Sequence, residues 1–121
     1  MKIKTNELTG AALDWAVAKA AGIVEDGEFD TTRSIRFILD GYYTPSTNWA
    51  QAGPLIETAG ITVVCWAKPG QWEAQSTARL WMQINGPTSV MFKGPTALIA
   101  AMRCYVASKL GDEIDLPEEL T

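Results

Sequence analysis

The segment Ala97–Leu110 constrains this fold more than any other stretch. Thr96 is placed to cap a helix there, Gly111 is placed to stop it, and the residues between fill about four turns. Only Arg103, Ser108 and Lys109 among them are polar. A helix that is apolar around most of its circumference must be buried, so the rest of the chain has to enclose this one. It does not read as a membrane span: its apolar run, Ala97–Val106, is broken by Arg103 and falls short of the roughly 18 residues a bilayer requires. The basic N-terminus is followed by no apolar stretch of the kind a secretion signal carries. The expectation is a soluble chain that neither enters nor crosses a membrane.

The 121 residues fit a single domain, 1–121, and 47% apolar residues with five tryptophans supply one core. A first helix is expected from about Thr9 to Ala21, from the spacing of Ala12, Leu13, Ala16, Val17 and Ala20, with Gly22 as its stop. Ser34–Leu39 reads as a strand closed by an Asp40-Gly41 turn or hairpin. After the polar-aromatic loop Tyr42–Trp49, a short helix spans about Asn48 to Thr58, interrupted or kinked at Gly53-Pro54. Ile61–Trp66 is rich in β-branched residues and reads as a strand. Gln71–Ser76, Arg79–Ile84 and Val90–Phe92 read as further strands, with turns at Lys68-Pro69-Gly70 and Asn85-Gly86-Pro87. This order implies an α+β fold: an antiparallel sheet of about four or five strands with an N-terminal helix, a short middle helix and a C-terminal core helix.

Composition excludes much chemistry. The chain has no histidine, which removes Ser-His-Asp and Cys-His catalysis and any imidazole metal site. Cys65 and Cys104 are far apart and read as reduced, buried thiols rather than ligands or a disulfide. No EF-hand loop is present, and no nucleophile stands near a base, so neither metal, cofactor nor catalytic residue is expected and the balance leans away from an enzyme. The net charge of −4 is unevenly spread. Residues 61–110 hold Lys68, Arg79, Lys93, Arg103 and Lys109 against Glu73 alone, whereas about 112–121 form an acidic tail and 25–30 an acidic loop. A mildly cationic body suits a small anion. Its five dispersed bases are too few for a duplex nucleic-acid stripe.

Tyr43-Thr44-Pro45-Ser46-Thr47-Asn48-Trp49 gathers hydroxyls, an amide and two aromatic rings at a loop-to-helix junction. A cap explains one of Ser46, Thr47 and Asn48, and Trp49 can be core. The alternative is a ligand site in which Tyr43 and Trp49 stack on a ring and Ser46, Thr47 and Asn48 fix its orientation. Lys93-Gly94-Pro95-Thr96 offers a second helix N-terminus to an anion, with Thr96 also explained as a cap, and it lacks the P-loop pattern. Arg103 either snorkels to solvent, pairs with a buried carboxylate such as Asp14 or Glu57, or faces a pocket and binds an anion. Trp66, Trp72 and Trp81 lie on expected strands, as core or as an oligomer interface.

Three segments, taken in order, resemble one family. They are Leu8–Ala18, then Tyr43–Trp49 through Gly53-Pro54-Leu55-Ile56-Glu57, and Gly94–Arg103. The chain resembles the NinX-like phage proteins, named for the nin region of lambdoid phage genomes. Ala52 and Ala97 depart from the glycine and proline usual at those positions. The resemblance implies a phage or prophage origin and the host bacterial cytoplasm, and it brings no catalytic residue. In that setting the residues suggest a non-enzymatic accessory protein binding a small anionic, nucleotide-derived ligand, sequestering a host defence signal, through Tyr43, Ser46, Thr47, Asn48, Trp49, Thr96 and Arg103. The alternative is an interaction module that binds or inhibits a host protein; a homo-oligomer is expected in either case.

Overall fold

The computed structural model describes residues 1–23, 31–66, 70–76 and 91–121. The chain order is β1 (Lys2–Lys4), a 3-10 turn (Thr5–Glu7), α1 (Gly10–Ala20), α2 (Thr31–Leu39), α3 (Trp49–Ala59), β2 (Ile61–Cys65), β3 (Trp72–Ser76), β4 (Phe92–Gly94), α4 (Ala97–Leu110), β5 (Glu113–Asp115) and a final 3-10 turn (Glu118–Leu120). The fold is α+β. Its described strands form two antiparallel sheets instead of one: three strands in the order β2-β3-β4, and the pair β1-β5.

Helix α4 is the centre. Thr96 caps it, its Oγ1 accepting the Ile99 N–H at 3.2 Å. Leu98 and all of Ala100 to Ala107 are buried, as an all-round apolar helix demands. The helix packs against α1, α3, all three strands of the larger sheet, the first 3-10 turn and β5. Gly94 permits the close approach of β4: a Cβ there would lie 2.7 Å from the Ala100 backbone nitrogen.

The small sheet closes the ends of the chain over this core. Thr5 donates its N–H to Asp112 O at 2.8 Å and its hydroxyl to Gly111 O at 2.7 Å. Antiparallel register then sets Lys2 opposite Asp115, Ile3 opposite Ile114 and Lys4 opposite Glu113. The expected acidic tail is thus folded, with Ile114 and Leu116 in the core and two of its acids, Glu113 and Asp115, opposite Lys4 and Lys2 across the ladder.

Ser34–Leu39, read from sequence as a strand, is helix α2. Ser34, Ile35 and Ile38 are buried while Arg33, Arg36 and Phe37 are exposed, the 3.6-residue spacing of a helix face rather than alternation. Asp40-Gly41 ends this helix and makes no hairpin. Gly41 has φ of +82°, and the turn is closed by Gly41 N–H to Ile38 O at 3.1 Å and Tyr42 N–H to Phe37 O at 3.3 Å. Helix α3 continues past Pro54 to Ala59 without interruption. In α1 the Thr9 side chain makes no capping bond. The acidic loop 25–30, the expected strand Arg79–Ile84 with Trp81, the turn Asn85–Pro87 and the bases Lys68 and Arg79 lie outside the described residues.

Gly94→Ala drives a methyl group into α4 backbone that has no freedom to retreat. The expected loss is about 1–3 kcal/mol, read as a lowered urea midpoint with unchanged slope; an unaltered midpoint would mean that β4 does not press on Ala100.

Candidate functional site

The expected site residues separate into three places: the loop before α3, the cap of α4 at Thr96, and Arg103 within α4. In the loop before α3, each acquires a local role. Asn48 caps α3, its Oδ1 accepting from Ala50 N–H at 2.9 Å and Gln51 N–H at 3.4 Å. Buried Ser46 donates its N–H to Asp14 Oδ1 at 2.8 Å. Thr47 Oγ1 turns back to Thr44 O at 3.4 Å. Tyr43 is core, and burial, with Tyr105 and Asp14 nearby, pushes its phenol up to about 12. Thr47 is exposed, and so is Trp49, at 59%.

Asp14 is the buried acid that anchors this loop to α1, 5% exposed. Burial raises its pKa above the usual 3.8, and the Ser46 hydrogen bonds offset only part of that. It is not the partner of Arg103.

Arg103 is 8% exposed, which removes the snorkelling expectation. Nor does it meet a carboxylate: among the described residues no acid lies within ion-pair distance of its guanidinium. It donates instead to two backbone carbonyls, Nε to Leu8 O at 2.8 Å and an Nη to Lys93 O at 2.6 Å. Leu8 precedes α1 and Lys93 is the middle residue of β4, so one side chain binds both segments to α4. Burial lowers its pKa, yet arginine keeps its charge at physiological pH.

Arg103 also lines a cleft of about 680 Å³, within the range of small-molecule sites. Its described walls are Asn6 from the first 3-10 turn, Trp66, Gly70 and Gln71 from the β2–β3 connection, Trp72 and Glu73 from β3, and Lys93 and Gly94 from β4. Trp66, 53% exposed, is held by its N–H to Gln71 O at 3.0 Å. Glu73 and Lys93 stand opposite each other in register, and Asn6 Oδ1 accepts the Lys93 N–H at 3.2 Å. The cleft therefore combines a buried cation, an exposed cation, one carboxylate, two amides and two indoles.

Of the residues expected to bind ligand, Arg103 reaches this cleft. Tyr43, Ser46, Thr47, Asn48, Trp49 and Thr96 are not among its described walls. Trp66, Trp72, Glu73, Gln71 and Asn6 were absent from the sequence-based site. The turn read at Lys68-Pro69-Gly70 between two expected strands carried the clue for the tryptophans, because β2 and β3 pair antiparallel with Cys65 opposite Trp72; nothing local to Asn6 announces it.

A family model described as Bacteriophage P22, NinX matches residues 4–109, and the chain belongs to that family. No curated protein matches it. No helix among the described residues is long and apolar enough to cross a membrane.

Two substitutions separate the roles of Asp14. Because its folded-state pKa lies above the unfolded value, the native state binds more protons between the two, so stability falls as pH rises through that window. Asp14→Asn keeps an acceptor for the Ser46 N–H and should remove this slope in urea titrations begun near pH 4. Asp14→Ala strands that N–H and should cost about 1–3 kcal/mol at neutral pH. Equal pH slopes for wild type and Asp14→Asn would show that this carboxyl titrates normally.

Proposed function

Proceeding from membership of the P22 NinX family, we propose that this chain is a phage accessory protein of the host cytoplasm that binds a small anionic, nucleotide-derived ligand and withholds it from host signalling. One observation carries the reading: a buried arginine that ion-pairs with no carboxylate among the described residues lines a cleft whose described walls include two tryptophans. Removing a charge from water is costly unless something compensates it, and two carbonyls supply only part of that compensation. An anionic group at the guanidinium completes it through charge-assisted hydrogen bonds. Trp66 and Trp72 offer ring faces on which a base stacks, an interaction worth about 1–3 kcal/mol per base. Lys93 adds an exposed second cation at the mouth. With no histidine and no thiol in the described cleft, the arrangement favours holding a ligand over transforming it.

A second reading has its own observation. Phe37 and Tyr42 stack at 5.7 Å between centroids, and with Trp49 they leave exposed aromatic surface of the kind host-protein interfaces use. Gln51 Nε2 donates to Tyr42 O at 3.2 Å, which places this stack beside the start of α3.

Thermal shift against nucleoside monophosphates and cyclic dinucleotides tests the first reading. A binder at about 100 times its Kd adds roughly 2.7 kcal/mol, a rise of several degrees for a domain of this size. Trp66→Ala and Lys93→Ala change exposed side chains, so they should leave the unliganded midpoint in place and remove the rise. A flat response across the panel would end this reading and turn attention to the Phe37–Tyr42–Trp49 surface.

A further inference from the structure

The cleft contains one group that phosphate recognition does not use. Glu73 stands among its walls beside two cations, faces Lys93 across the ladder, and yet makes no ion pair with it among the described residues. A carboxylate that lined a site only for an anion would repel the ligand, so its presence has to be matched by donors on the ligand's other end. Resting on the nucleotide reading above, we propose that Glu73 selects a guanine base.

Guanine presents two adjacent donors, N1–H and the N2 amino group, which a carboxylate accepts side by side because an ionised acid is acceptor-only. Adenine and cytosine each set a ring acceptor beside their amino donor, and uracil flanks its single N–H with acceptors; each loses one of the two bonds and gains repulsion. The neighbouring Asn6 fits the same base. Its Oδ1 is occupied by the Lys93 N–H, so its amide NH2 is the end left to donate, and guanine O6 beside N1 is an acceptor. With Trp66 and Trp72 providing the stacking faces, the base lies toward Glu73 and Asn6 and the phosphate toward Arg103.

Isothermal titration of the full chain with GMP, IMP, AMP, CMP and UMP reads this out. GMP should bind roughly ten- to hundredfold more tightly than AMP, with IMP, which keeps N1–H and lacks the N2 amino group, in between. Glu73→Gln replaces one acceptor by a donor and matches the adenine edge, so it should narrow the GMP/AMP ratio or invert it while weakening GMP. The wild-type ranking stands by itself as a test should the variant fold poorly, which its urea midpoint will show. Equal affinity for all five, with Trp66→Ala abolishing each, would overturn guanine selection and leave nucleotide binding intact. No binding of any nucleotide would overturn both.

Discussion

The guanidinium of Arg103 is the constraint around which the described core is arranged. Helix α4 must be enclosed because it is apolar on nearly every side, and several enclosing segments are short: a 3-10 turn, the three-residue β4 and β5, and an α1 entered through two extended residues, Leu8 and Thr9. Such pieces have little side-chain area with which to hold position. Arg103 fixes two of them at once through Leu8 O and Lys93 O, and Asn6 Oδ1 then holds the Lys93 N–H from the other side. Segments far apart in sequence share one hydrogen-bonded node.

That node also produces the cleft. Gly94 lets β4 lie against the α4 backbone, Arg103 holds the Lys93 carbonyl, and Trp66 and Trp72 stand with them among the cleft's described walls. The cation that closes the core is the same one left facing the opening. On the proposed reading, Arg103 serves both binding and stability, whereas the exposed side chains of Trp66 and Lys93 serve binding.

Sequence legibility followed how local the determining interaction is. Helix α4 was readable to the residue, since Thr96, Gly111 and the apolar run act within the segment. Gly22 as a stop was readable for the same reason, while the cap of α3 was narrowed to Ser46, Thr47 or Asn48 and the structure selects Asn48. The α2 segment failed because Ser-Ile-Arg-Phe-Ile-Leu satisfies a short alternating pattern as well as a helical one, and the burial of Ile35 with Ile38 that decides between them is tertiary. The fate of Arg103 was not legible either: backbone carbonyls have no sequence signature, so carboxylates such as Asp14 were the visible partners. Asp14 was already engaged by a backbone N–H of Ser46. The loop 43–49 looked like a site because polar and aromatic residues cluster there, and most of that cluster is occupied with capping α3 and anchoring α1.

The most direct test of the central claim, that ligand engages Arg103 at the sheet end rather than the loop before α3, is a nitrogen-15 NMR titration with GMP that follows arginine Nε–H and tryptophan indole N–H signals. The account predicts that Arg103, Trp66 and Trp72 shift together along one binding curve while Trp15 and Trp49 stay fixed. Shifts concentrated at Trp49, with Arg103 and Trp66 unmoved, would contradict it and return the site to the loop.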